Sequence, residues 1–230
     1  MIGRPGRQQL KLRVPRPAFL LSLALLLVNF SLSLPAALAQ TDPLARARAL
    51  NQEVIRLYQD GRYAEAIPKA REALALRERS LGPTHPDVAT SLNNLAVLLQ
   101  NIGRYAEAQS LCERALRITE TALGPSHPDV ATSLNNLANL LRITGDHAAA
   151  RPLYERALGI SEQALGPTDP HVATTLSNLA GLLAATGDYA GAKSLYGRAL
   201  KLSEANLGPT HPGVATILNN LGEVCYVPPI

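Results

Sequence analysis

The sequence predicts an all-α solenoid of helical hairpins, and three observations lead there. The peptide Leu-Gly-Pro-Thr-His-Pro-Asp-Val-Ala-Thr-Ser-Leu-Asn-Asn-Leu-Ala, residues 81–96, returns almost unchanged from Leu123 and Leu165 and in part from Leu207, at a constant spacing of 42 residues. Within a unit, Val88, Leu92, Leu95, Ala96 and Leu99 fall at i, i+4, i+7, i+8 and i+11, one face of an α-helix. A glycine then interrupts at Gly61, Gly103, Gly145 and Gly187, and Ala106, Ala108, Leu111, Ala115, Leu116 and Ile118 describe a second apolar face. A period of this length marks a supersecondary unit that cannot bury its apolar face alone and stacks on its neighbours.

The expected hairpins span about 43–80, 86–122, 128–164 and 170–206, with a partial repeat over 212–226. Each first helix has a start signal: Thr84 followed by Asp87 is a capping-box pattern with Pro86 in the first turn, and Ser126 with Asp129 repeats it. Later copies loosen the pattern, since Thr168 is followed by His171, with Asp169 displaced across Pro170, and Thr210 by Gly213. Each second helix ends at Gly82, Gly124, Gly166 or Gly208, always followed by proline, which cannot continue a helix. Pro68 and Pro152 lie inside second helices, where each removes a backbone hydrogen bond.

Residues 1–39 stand outside the repeat. Arg4, Arg7, Lys11, Arg13 and Arg16 precede the apolar run Ala18 to Val28, and Ala37-Leu38-Ala39 matches a signal-peptidase site. We read a signal peptide over 1–39 and a repeat domain over 40–230, hence an exported, periplasmic or secreted protein that meets the membrane only transiently; an uncleaved inner-membrane anchor is the alternative. The leader also distorts the charge. The chain has 22 Lys+Arg against 18 Asp+Glu, and without the leader's five cations 17 remain, so the mature domain is near neutral and a nucleic-acid partner is not expected. Cys112 and Cys225 fall in different repeats, too far along a stack to pair, and buried free thiols are expected.

Asn-Leu-Ala, then Gly-Arg-Tyr-Ala-Glu-Ala, then Arg-Ala-Leu resemble the tetratricopeptide repeat, and the 42-residue form with Leu-Gly-Pro-x-His-Pro-Asp-Val-Ala is similar to the repeats of kinesin light chain. Small-residue slots fall on Ala96, Ala108 and Ala115, Ala138, Ala150 and Ala157, and Ala180, Ala192 and Ala199; Val54 departs from them in the first unit. The resemblance implies a right-handed superhelix whose concave wall is lined by first helices and binds peptides. With the leader, the chain resembles exported bacterial members, some of which precede caspase-like peptidase domains.

Asn94, Asn136, Asn178 and Asn220 recur once per unit, with Asn93, Asn135 and Asn219 beside three of them and Thr90, Thr132, Thr174 and Thr216 one turn earlier. Amides present donor and acceptor together, so this ladder would hold a peptide main chain. Equally, amides on adjacent helices could bond one another and set the register. A clamp for terminal carboxylates is not expected, because Val97, Asn139, Gly181 and Arg142 supply a single cation. His85, His127, His171 and His211 read as helix-start residues, a full repeat apart and too distant to share a metal.

No Gly-x-Ser-x-Gly, His-Glu-x-x-His, phosphate-binding glycine loop or Cys-x-x-Cys occurs, so neither an enzyme nor a cofactor is expected. The reading is a non-catalytic scaffold for a protein or extended peptide; the alternative is the N-terminal interaction segment of a longer exported enzyme. The last helix, with Val214, Leu218, Leu221 and Cys225, lacks a covering second helix, which suggests self-association or truncation. If the leader is cleaved as read, mass spectrometry of the exported product will find a chain beginning at Gln40; an intact chain retaining Arg4 in the membrane pellet would show an anchor instead.

Overall fold

The computed structural model describes residues 42–226, so the leader, its cleavage site and the last four residues lie outside the described residues. Among the described residues there are nine helices and no strand: α1 Pro43–Gln59, α2 Tyr63–Leu81, α3 Pro86–Asn101, α4 Tyr105–Leu123, α5 Pro128–Thr144, α6 His147–Leu165, α7 Pro170–Ala185, α8 Tyr189–Leu207 and α9 Pro212–Tyr226. Odd-numbered helices are the first members of hairpins, even-numbered helices the second. Each even helix packs on its own partner and on the odd helix of the next hairpin.

The start of each first helix lies one residue later than the capping box suggests. His85, not Thr84, is the cap of α3, and its Nδ1 accepts the Asp87 N–H at 3.1 Å. His127 does the same for Asp129 at 3.1 Å, and His211 for Gly213 at 3.0 Å. Proline at the first helical position dictates this, since the capping residue must directly precede it. In the fourth hairpin the two residue types exchange places: Asp169 caps α7 by accepting from the His171 N–H at 2.8 Å, which leaves His171 inside the first turn.

The hairpin turns use Gly61, Gly103, Gly145 and Gly187 at φ between 71° and 90°. The helix-ending glycines are more restrictive: Gly82, Gly124, Gly166 and Gly208 combine φ of 83° to 91° with ψ near 155°, a region open almost only to glycine. No atom lies within 4 Å of where their Cβ would stand, so conformation and not space selects glycine.

Internal first helices are covered nearly all round. Ala89, Leu92, Ala96 and Leu99 of α3, and their equivalents on α5 and α7, are between 0% and 9% exposed. On α4 the buried stripe runs through Ala108, Cys112, Ala115 and Ile118, whereas Ala106 is exposed, because Ala106 falls on the solvent side of the first turn. The equivalent stripe of α9, Ala215, Leu218, Gly222 and Cys225, faces solvent, with Leu218 47% exposed. Only Val214, Ile217 and Val224 of that helix are buried. Cys225 is therefore an exposed thiol and Cys112 a buried one, whose burial pushes its pKa up to about 12.

The stack curves. Consecutive first helices touch one another directly along α3, α5, α7 and α9, which places them on the inner, shorter wall. Consecutive second helices are bridged on the outer wall by long ion pairs: Arg114 to Glu78 at 2.7 Å, Arg156 to Glu120 at 2.6 Å and Arg198 to Glu162 at 2.5 Å. Replacing Gly124 by Ala should lower the urea midpoint with an unchanged m-value, a loss of about 1–3 kcal/mol from backbone strain alone.

Candidate functional site

On each first helix one stripe escapes burial. It runs through Thr90, Asn94 and Val97 on α3, Thr132, Asn136 and Asn139 on α5, and Thr174, Asn178 and Gly181 on α7. These stripes lie side by side on the inner wall and make a continuous groove.

The residues of the asparagine ladder divide into different duties. Asn94 Nδ2 donates to Asn51 Oδ1 at 3.4 Å, and Asn178 Nδ2 donates to Asn135 Oδ1 at 3.2 Å, each a rung between consecutive first helices. Asn51 is the sequence equivalent of Asn93 one repeat earlier, a signal that the period alone would have disclosed. Asn93 is buried and donates to Ser133 Oγ at 3.0 Å, beside the hydroxyl of Thr119, while its own carbonyl oxygen has no partner. Asn219 donates to Glu223 at 3.1 Å. Thr90, Thr132, Thr174 and Thr216 are exposed, and each donates its hydroxyl to the carbonyl four residues back, at Pro86, Pro128, Pro170 and Pro212. Their oxygens keep free lone pairs toward the groove. The Asn136 side chain makes no hydrogen bond among the described residues, and the Asn220 amide lies beside the Tyr196 hydroxyl.

The groove changes character along its length. Near α1 and α3 it is an apolar notch of about 330 Å³ walled by Val54, Ile55, Tyr58, Val97 and Leu98. Between α5, α7 and α9 it opens into a polar hollow of about 410 Å³, whose lining includes Arg142, Asn178, Gly181, Tyr196, Asn220 and Glu223. Arg142 donates from Nη2 to Asn139 Oδ1 at 3.0 Å; neither its buried Nε nor the hydroxyl of fully buried Tyr154 completes a hydrogen bond, although Arg142 lies against that phenol. Burial pushes the Tyr154 pKa up to about 12 against the opposing positive charge of Arg142, and burial likewise raises that of Tyr196. Both phenols therefore keep their protons at neutral pH and remain donors. In the sequence Arg142 reads only as too little charge for a clamp, and nothing local marks the two tyrosines that approach it from second helices.

The family model of the tetratricopeptide repeat matches residues 45–109, 87–163 and 171–226, most of the described chain. The chain is a tetratricopeptide repeat protein. Among solved structures, this tetratricopeptide protein is similar to BtubC (BKLC) from P. vanneervenii, with 27% identity, 82% of this chain and 76% of that chain covered, and a TM-score of 0.68. It is also similar to the kinesin-light-chain-type protein from Podosopora anserina with nearly identical TPR-like repeats, at 25% identity, 79% and 86% coverage and a TM-score of 0.63. The superhelix of hairpins is thus the kinesin-light-chain-like form of the repeat.

Proposed function

We propose that this tetratricopeptide protein is a non-catalytic scaffold that binds an extended segment of a partner protein along its inner wall, outside the cytoplasm if the leader acts as read. The observation that carries the reading is the open stripe itself. Away from their ends the other faces of α3, α5 and α7 are largely covered, and what is left uncovered is a row mainly of amides and hydroxyls on a rigid frame. Such groups can pair with a main chain whatever its side chains are. Within that row, Asn94 and Asn178 already bond neighbouring repeats and serve register, whereas Asn136 and Asn220 keep amide capacity for a ligand.

This division is testable with the full chain and a bead-bound library of random nonapeptides. Asn136→Ala, and the double variant with Asn220→Ala, should weaken capture about five- to tenfold, the value of one or two lost hydrogen bonds, with an unchanged melt. Asn94→Ala should instead cost about 1 kcal/mol of stability. Undiminished capture by the Asn136 and Asn220 variants would remove the ladder from the binding site.

The bare stripe of α9 supports self-association as a second contact of the same scaffold, because Leu218 and its neighbours occupy slots that a second helix covers in every other hairpin. Sedimentation velocity should show a concentration-dependent dimer of the full chain that Leu218→Glu abolishes; a monomer at all concentrations would exclude it.

A further inference from the structure

We propose that the bare stripe of α9 takes the α9 of a second copy, antiparallel and in one register, so that Leu218 of each copy seats on Gly222 of the other. The proposal rests on the self-association reading and names the partner helix, its direction and the residues that meet. It starts from two breaks in the repeat. The stripe that a second helix covers reads Ala89, Leu92, Ala96 and Leu99 on α3, and the same residue types recur at these slots on α5 and α7. On α9 it reads Ala215, Leu218, Gly222 and Cys225, so glycine replaces alanine and cysteine replaces leucine. Glycine inside a helix is unfavourable relative to alanine. Nothing within the protomer asks for it, since apart from its own helix no atom lies within 4 Å of where the Gly222 Cβ would stand. A close approach from outside the protomer does.

Direction and register follow from the repeat. Each complete hairpin covers this stripe with an antiparallel helix, because its turn is short. A second α9 laid antiparallel takes the place and direction over α9 that α4 has over α3. The four residues follow one another at steps of 3, 4 and 3, the spacing of a coiled-coil seam. A two-fold axis at the level of Asn220 turns that seam onto itself: Leu218 meets Gly222 of the partner, and Ala215 meets Cys225 of the partner. The bulkiest residue of the seam thus falls on the smallest, which lets the helices approach closely.

The opposite end of the stack is closed to this contact by charge. On α1, Arg46, Glu53 and Arg56 are exposed at the slots that hold buried Val88, Leu95 and Leu98 on α3. Arg46 pairs with Glu72 at 2.5 Å and Glu53 with Lys69 at 2.8 Å, both on the neighbouring α2. Stacking α1 of one copy on α9 of another would take these charges out of water against an apolar seam that offers them no partner. Copies therefore do not add head to tail, and the contact is isologous and closes at two. The seam carries no charge of its own to oppose the pairing. With 15 residues α9 is about 22 Å long. One such helix pair covers less than the roughly 1,200 Å² at which stable interfaces begin, so the dimer is weak and exchanges with monomer.

The test uses the full chain, sedimentation velocity over a range of concentrations, and mild oxidation with copper phenanthroline. Ala215→Cys places a thiol opposite Cys225 of the partner at both ends of the seam, and oxidation should convert this variant to a covalent dimer. Wild type should stay non-covalent, because the register holds its two exposed Cys225 thiols about 15 Å apart along the seam. Positions 215 and 225 of one copy are also about 15 Å apart, so no internal bridge competes. Gly222→Leu fills the seat and should weaken dimerisation at least about tenfold, the scale of an overpacked contact. The melting temperature of its monomer should not fall, since leucine is the better helix former. Exchanging the two residues, Leu218→Gly with Gly222→Leu, moves knob and seat together and should restore dimerisation to within about threefold of wild type. A dimer that cross-links through wild-type Cys225, fails to cross-link through Ala215→Cys, ignores Gly222→Leu or is not restored by the exchange overturns the register and leaves self-association standing. A wild-type chain that is monomeric at every concentration overturns both.

Discussion

No hairpin of this chain can bury its own apolar surface, and everything else follows from that. The residues that line the contact between α3 and α4 also need α2 and α5 to exclude water from their remaining sides. Burial becomes nearly complete only when a first helix has its own second helix and both neighbours, as α3, α5 and α7 do. The last helix shows the converse: with one side unfilled, the slots of Leu218 and Cys225 face solvent although their equivalents in other repeats are core. Stability is thus a property of junctions, as expected of a quasi-one-dimensional stack.

The two walls of the stack hold their junctions by different means, and the difference sets the groove. On the inner wall, first helices come close enough for short amides to meet, as Asn51 with Asn94 and Asn135 with Asn178 do. On the outer wall the helices diverge, and only arginine and glutamate are long enough to bridge them, as in the pairs of Arg114, Arg156 and Arg198. Such exposed pairs are worth little individually. Their recurrence at one slot nevertheless favours a single spacing between repeats, and an even spacing keeps the inner stripe continuous.

On the proposed reading, polar residues on that stripe are shared between architecture and recognition. A repeat needs the same amide at every junction for register, but a ligand needs particular groups at particular places, and the two demands separate where the period is broken. Arg142, Gly181, Ala184 and Tyr196 are such breaks and line one hollow, with Tyr154 buried against Arg142. The apolar notch at Ile55 and Tyr58 gives the opposite end of the groove a different character.

By itself the sequence determined the helical class, the period and the helix ends, because these depend on local chemistry: apolar spacing, glycine where φ must be positive, proline where a helix starts or stops. Even the misplaced cap at Thr84 was a local matter, decided by Pro86 immediately after His85. What only the tertiary structure decided was the fate of residues whose partners lie a repeat or more away. Cys112 is buried while Cys225 is exposed, although both sit in apolar patterns, because among the described residues a following helix covers the first and none covers the second. Asn94 bonds Asn51 while Asn136 stays free, although the two look identical in sequence. Arg142 meets Tyr154 and Tyr196 only because two second helices lean their phenols toward the inner wall. A repeat makes local environments alike, and only the stacking of one unit on the next makes them different.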